Sequence, residues 1–358
     1  MSSGGATGFA ALNARVRVMF SSLLTAQQLS GLYDTPDFNT LIVALKNSEY
    51  ASYLEKSKDK DLTPRKAAYQ IRGRLTDNYL SIIHNAPDHA RSLLIQRYRY
   101  FEVDNLKAVL RGIIAGAPWD KIKFVLFPLG TESHLPLQEM AEAGNVGNAV
   151  DLLRGTVYYN ALSHAMPRYN AEQSIFPLEV ALDLNYWREL WKGVGQLPSQ
   201  DRTPALKIIG SLLDSNNLMW AIRYNVYHHL SDEELINYTL PFGYHVNDRD
   251  IRSIAAGADI AQIVKRIYPD LVDVDGLLQD PRKGLPELEL QLKRHVMHQC
   301  VAAFVGDPFH IGIPLGYLEL LELEIQDLTV LIEGKSVKGA QQDFRNYLLM
   351  GQTQKAVS

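Results

Sequence analysis

An all-α fold is the class this sequence predicts. Three observations lead there: apolar residues recur at steps of three and four along much of the chain, capping residues stand where those runs begin, and no stretch alternates apolar with polar residues between turn signals. Near the start, Leu12, Val16, Met19 and Leu23 line one helical face. Thr35-Pro36 and Thr63-Pro64 each set a capping hydroxyl before a proline whose fixed φ suits a first helical position. Val180, Leu184, Trp187 and Trp191 form the next clear stripe, and Tyr186, Trp187 and Trp191, whose spacing matches it, are expected as core rather than a ligand box. Ser231 with Glu234 has the spacing of a capping box. Leu318, Leu321, Ile325, Leu328 and Ile332 form a packing seam near the C-terminus, and the acids between them, Glu319, Glu322, Glu324 and Asp327, are expected on its solvated outer face. Pro128-Leu129-Gly130 and Pro241-Phe242-Gly243 break two helical runs.

The chain repeats itself. Glu102-Val103-Asp104-Asn105-Leu106-Lys107-Ala108-Val109-Leu110-Arg111 aligns with Asp214-Ser215-Asn216-Asn217-Leu218-Met219-Trp220-Ala221-Ile222-Arg223, with acid, Asn, Leu and Arg at identical offsets. A third, degenerate copy, residues 324–333, keeps the acid and the leucine but has Asp327 for Asn and Glu333 for Arg. Leu12-Asn13-Ala14-Arg15-Val16-Arg17 is a faint further copy, and Pro177-Leu178-Glu179 echoes Pro286-Glu287-Leu288-Glu289 at the start of two long helices. A spacing of about 110 residues is too long for a solenoid unit and close to a small domain, so three similar helical lobes are expected, over residues 1–103, 104–215 and 216–358, with a flexible lead-in over about the first eight residues.

Composition excludes several classes. The 358 residues carry 36 Lys+Arg against 40 Asp+Glu, a net charge of -4 without a dense basic run, which argues against a nucleic-acid partner. One cysteine, Cys300, leaves no internal disulfide framework and fits a cytoplasmic setting. Met1–Gly8 lacks the basic start and apolar core of a signal peptide. No apolar run approaches the roughly 18 to 20 residues that span a bilayer, so any work at a membrane proceeds through partners or a surface contact, not insertion.

Candidate chemistry is thin. Gly4-Gly5-Ala6-Thr7-Gly8 has no preceding strand to aim a phosphate loop, and neither a Gly-x4-Gly-Lys-Ser/Thr run nor a Gly-x-Ser-x-Gly elbow is present. His295, His298 and Cys300 lie close along a predicted helix but lack an obvious complementary ligand pair, and the adjacent His228-His229 point about 100° apart. No catalytic residue, cofactor or metal is therefore expected. Arg111, Arg223 and Glu333 are the candidate interaction residues. They are either ordinary solvated or ion-paired side chains, or a charged collar meeting acidic groups on a partner, for which the planar guanidinium fork is suited.

The Asn-Leu-x4-Arg units, the segment Leu178-Glu179-Val180-Ala181-Leu182-Asp183-Leu184-Asn185-Tyr186-Trp187, and the ending from Pro314 to Leu328 resemble the C subunit of archaeal and bacterial A/V-type ATPases, called d in the eukaryotic vacuolar enzyme. The chain departs from that pattern at Leu321 and Asp327. The resemblance covers nearly the whole sequence. It implies a funnel of three pseudo-symmetric lobes, a non-catalytic central-stalk role on the cytoplasmic face, and partners in the proteolipid rotor ring and the D- and F-type shaft subunits. A helical scaffold or adaptor unrelated to ATPases is the alternative, and a helical enzyme would need a polar pocket with perturbed titratable groups.

Overall fold

The structure is a computed structural model that describes residues 4–55, 62–130, 133–228, 230–336 and 348–350. It is 74% helical, and no strand occurs among the described residues. Seven long helices carry the argument: α1 (Gly4–Ser21), α2 (Pro64–Asn85), α3 (Asp88–Ile114), α4 (Phe176–Gly195), α5 (199–228, with two π-helical segments), α6 (Pro281–Ala302) and α7 (Gly312–Ser336). α1 begins inside the stretch expected to be a flexible lead-in. Contacts divide the chain into two units, one of residues 1–13 and Trp187–Glu319, the other of Ala14–Tyr186 and residues 320–358.

Local signals explain several boundaries. Thr63 caps α2, its hydroxyl accepting the Lys66 N–H at 3.3 Å, with Pro64 in the first turn. Ser231 and Glu234 form the expected capping box of the short helix Asp232–Asn237. Thr35 does otherwise. Its hydroxyl donates to the Leu32 carbonyl at the end of the preceding helix, and Asp37 caps the next one, because a carboxylate two residues on is the better acceptor for its free N–H groups.

The repeat is a repeat of contacts. In α3 the buried Asn105 clamps the residue before the first Pro-x-Gly break, accepting the Phe127 N–H at 2.6 Å and donating to the Phe127 carbonyl at 2.9 Å. In α5 Asn217 does the same to Leu240, with both bonds at 2.8 Å. An amide suits the task because it offers one donor and one acceptor to a chain reversal whose backbone would otherwise be buried unpaired. In α7 Asp327 cannot donate, and it accepts instead from the N–H groups of Leu349 (2.9 Å) and Met350 (2.8 Å). The leucine that follows each clamp, Leu106, Leu218 or Leu328, is fully buried.

The two asparagine clamps differ in length by one residue, reaching 22 positions ahead from Asn105 and 23 from Asn217. One residue more also lies between Pro198 and Asn217 than between Pro87 and Asn105, two prolines that cap their helices alike. α5 contains a π-helical segment in each lengthened stretch, Leu206–Gly210 and Tyr224–His228, and a π turn takes up an extra residue without rotating the remainder of the helix. The break glycines serve different needs. Gly130 sits at φ +65°, whereas a Cβ on Gly243 would stand 2.4 Å from the Asp214 carboxylate and 2.1 Å from the Val246 carbonyl.

In the unit of residues 14–186, Tyr79, Tyr98, Phe101 and Phe127 form an aromatic core, with Phe101 stacked on Phe127 at 4.0 Å between ring centroids. In the other unit, α6 and α7 pack backbone to backbone, since a Cβ on Gly316 would lie 2.8 Å from the Cys300 carbonyl.

Replacing Asn105 or Asn217 by alanine should cost about 2 kcal/mol each in urea unfolding, since each change leaves a buried N–H and C=O unpaired. Asn216→Ala, which removes only a bond to Leu212 within the same helix, should change stability by no more than about 0.5 kcal/mol. Equal effects of Asn216→Ala and Asn217→Ala would contradict the clamp.

Candidate interaction site

Arg111 lies in the last turn of α3, where a cation also opposes the negative end of the helix dipole. Its side chain is 60% exposed and donates from Nε to Glu179 on α4 at 2.5 Å. This bond, more than any other cause, raises the guanidinium's affinity for its proton. Arg223, 41% exposed, makes the equivalent bond to Glu289 on α6 at 2.5 Å. Burial works against ionisation of Glu289, but Lys293 and Arg223 outweigh it and hold the carboxyl below its ordinary value. Glu333 is exposed on α7 and acts on Arg72 of α2, whose guanidinium is drawn down by burial and pushed back by Glu333 and Asp104. Arg72 itself donates to the Val125 carbonyl at 3.2 Å.

Arg111 and Arg223 thus each answer to a carboxylate on a neighbouring helix. Glu179 and Glu289 belong to the two echoed segments that open α4 and α6, so the partners were present in the sequence as a second repeat whose pairing with the first was not apparent. Lys107, with Asp183 at 2.9 Å and Asp104 at 3.1 Å, adds a more buried contact between α3 and α4.

The acids of α7 do not lie on a solvated face. Glu319, Glu324 and Asp327 are buried, and the side chain of Glu322 is nearly so. α7 is covered around most of its circumference, so polar residues between the leucines are inside too and must be paired. Glu322 accepts from Arg97 at 2.7 Å, and that guanidinium also lies 5.0 Å from the Tyr100 ring centroid. Glu324 is fully enclosed and accepts from Arg74 (2.9 Å), the Tyr50 hydroxyl (2.7 Å) and the Leu24 N–H (2.5 Å). Burial pushes its carboxyl above the usual range, and these three donors pull in the opposite direction.

At the same position in the other copies, Glu102 accepts from the Tyr158 hydroxyl, and Asp214 from the N–H groups of Tyr244 (2.8 Å) and His245 (2.6 Å). Burial raises the Asp214 carboxyl from 3.8 to about 6 despite those bonds.

A cavity of about 460 Å³ opens between α2, α3 and α7, with Arg72, Asp104, Glu322 and Thr329 among its polar lining and Phe101 and Ile325 among its apolar lining. Its carboxylates are engaged, Glu322 with Arg97 and Asp104 with Lys107. On α6, His295 packs edge-on against Tyr268 at 5.1 Å and Cys300 is buried. Among the described residues no group of three His, Cys, Asp or Glu side chains is placed to hold a metal ion.

Comparison with known families matches residues 12–347 to the ATP synthase (C/AC39) subunit family. The chain belongs to this family. Similar proteins include the C subunit of the A-type ATP synthase of Methanocaldococcus jannaschii, 24% identical with 95% of this chain and 86% of the relative aligned. The corresponding protein of Methanothermobacter thermautotrophicus is 25% identical over 92% and 85%. That of Methanococcoides burtonii is 22% identical over 97% and 96%. Family membership thus rests on similarity along nearly the whole chain, a span that includes Asn105, Asn217 and Asp327.

Arg111→Ala and Arg223→Ala should each lower stability by less than about 1 kcal/mol, because both pairs are partly exposed. A double-mutant cycle on Arg111 and Glu179 checks this, and a coupling of several kcal/mol would contradict it. For Asp214 the folded state holds its proton to a higher pH than the unfolded chain, so its contribution to stability is greatest below about pH 4 and is lost as the pH rises through about 6. Urea unfolding of the parent and of Asp214→Ala across that range should show the parent losing ground to the variant as pH rises.

Proposed function

We propose that this chain is a non-catalytic central-stalk subunit of a rotary A/V-type ATPase, a socket that joins the rotor shaft to the membrane-embedded proteolipid ring. The observation that carries the reading is the family match over residues 12–347, coupled to relatives named as C subunits of A-type ATP synthases. Further support is that no helix among the described residues is long and apolar enough to cross a membrane, so a role beside the ring is taken through protein contacts. In this reading the chain lies on the cytoplasmic face, binds the D- and F-type shaft subunits on one side and the ring on the other, and forms a funnel of three related lobes over residues 1–103, 104–215 and 216–358. A torque-bearing joint needs stiffness and complementary surfaces, and three helices each carrying a buried clamp at the corresponding position suit a part that must not deform under load.

Within the same proposal, the exposed sides of Arg111 and Arg223 meet acidic groups of the shaft or ring while their inner sides hold Glu179 and Glu289. Glu333 at the third position makes the charge pattern unequal around the socket, which selects one orientation of an unsymmetrical shaft.

Affinity purification through a tag on this chain from native membranes should recover shaft and ring subunits together. Assembly of a coupled, ion-pumping enzyme in cells lacking the chain would overturn the proposal. In the purified system, Arg111→Glu with Arg223→Glu should leave helical content intact and weaken assembly with the stalk. Adding Glu179→Arg and Glu289→Arg restores the internal pairs, so recovery of assembly on that addition would show the arginines to be internal staples only.

A further inference from the structure

The three helices that bear a clamp, α3, α5 and α7, each work against a second helix, α4, α6 and α2 in that order. Those second helices share a buried register: Leu178, Leu182 and Tyr186 in α4, Leu288, Leu292 and Val296 in α6, and Ile71, Leu75 and Tyr79 in α2. The apolar surfaces are close enough in kind that they do not say which clamp helix belongs with which. Charge does. In two of the three pairs the cation is on the clamp helix and the anion on its neighbour, as Arg111 with Glu179 and Arg223 with Glu289. In the third the signs are exchanged. α7 carries Glu324 and Glu333, and α2 carries Arg74 and Arg72, with Arg72 at the register position of Glu179 and Glu289.

The consequence of a wrong pairing follows from the same register. Arg74 corresponds to Ala181 in α4 and to Gln291 in α6. Were the stretch of α7 from Glu324 to Glu333 to take against either of those helices the register it has against α2, Glu324 would be buried without its guanidinium, and Glu333 would face Glu179 or Glu289. Were α2 to take the place of α4 or α6, Arg72 would face Arg111 or Arg223. Removing one partner from a buried pair is strongly destabilising, whereas the intact pair adds little net stability over an apolar one. Such a pair therefore discriminates between partners more than it holds them.

We propose that this exchange of charge polarity is the device that makes the last clamp helix of the chain close on α2, the first of three look-alike partners, more than two hundred residues away. The Arg74–Glu324 pair supplies most of the discrimination because it is the enclosed one, with the two side chains 5% and 0% exposed. Arg72 and Glu333 add to it in the same sense. The inference concerns pairing within the fold and stands independently of the proposed role in the stalk.

Two experiments on the full-length chain test it. The first neutralises the pair while keeping its hydrogen-bonding groups, in Arg74→Gln with Glu324→Gln. After refolding from urea this variant should keep its helical content, while the fraction eluting as dimers and larger species rises roughly tenfold over the parent, the scale of a pairwise coupling between contacting residues. A variant that refolds to monomer as completely as the parent overturns the proposal. The second co-expresses two differently tagged chains, one with Arg74→Glu and one with Glu324→Arg. Each alone brings like charges together and should be recovered poorly as a monomer. Together they can exchange α7, which sets Glu324 of one against Arg74 of the other and the two substituted residues against each other, so a one-to-one heterodimer is expected. Good recovery of either chain alone as a stable monomer, or absence of the heterodimer, overturns it.

Discussion

The burial of Glu324 sets the terms on which residues 14–186 and 320–350 pack. A carboxylate with no exposed surface has to be met by donors, and the three that meet it come from distant parts of the chain: the Leu24 backbone after α1, the Tyr50 hydroxyl before α2, and Arg74 inside α2. Arg74 is tied further, to the carbonyl and hydroxyl of Ser22 at 3.1 and 3.0 Å, and its guanidinium lies 4.8 Å from the Tyr50 ring centroid. Once this one residue is satisfied, the end of α1, the middle of α2 and the middle of α7 are in place relative to each other. The aromatic core and the Asn105 clamp then fill in around a frame that the ion pair has defined.

Much of the architecture was legible in the sequence because the periodicity of α-helices and the chemistry of their ends are local. The caps at Thr63 and Ser231 and the recurrence of Asn105 at Asn217 needed only neighbouring residues to be read. Thr35 misled because Asp37, two positions on, competes for the same role. The acids of α7 misled for a different reason. Reading Glu319, Glu324 and Asp327 as solvated assumes that a helix has one buried stripe, and α7 is enclosed on nearly every side.

Partnerships across long sequence separations were the part that could not be read. Nothing near Arg111 points to Glu179, although both belong to repeated segments, and recognising that two repeats share a period would have suggested that their members pair. Asp327 was legible as a degenerate Asn but not as a clamp that exchanges one donor for a second acceptor, since that depends on two backbone N–H groups arriving together at Leu349 and Met350. The burial that lifts the Asp214 carboxyl was equally hidden, because it is produced by a chain reversal some thirty residues downstream.

The π-helical segments of α5 bear on how related copies drift apart. Adding a residue to the middle of a packed helix normally turns everything beyond it by about 100°, carrying each buried side chain off its target. A π turn confines that rotation to a few residues, so an insertion there leaves Asn217 and Leu240 still facing each other. Lengthening of this kind is tolerated by the fold yet displaces one copy against another in any residue-by-residue alignment. Duplicated segments can in this way lose visible kinship faster than they lose shared geometry, and hydrogen-bond topology then preserves ancestry that letter matching no longer shows.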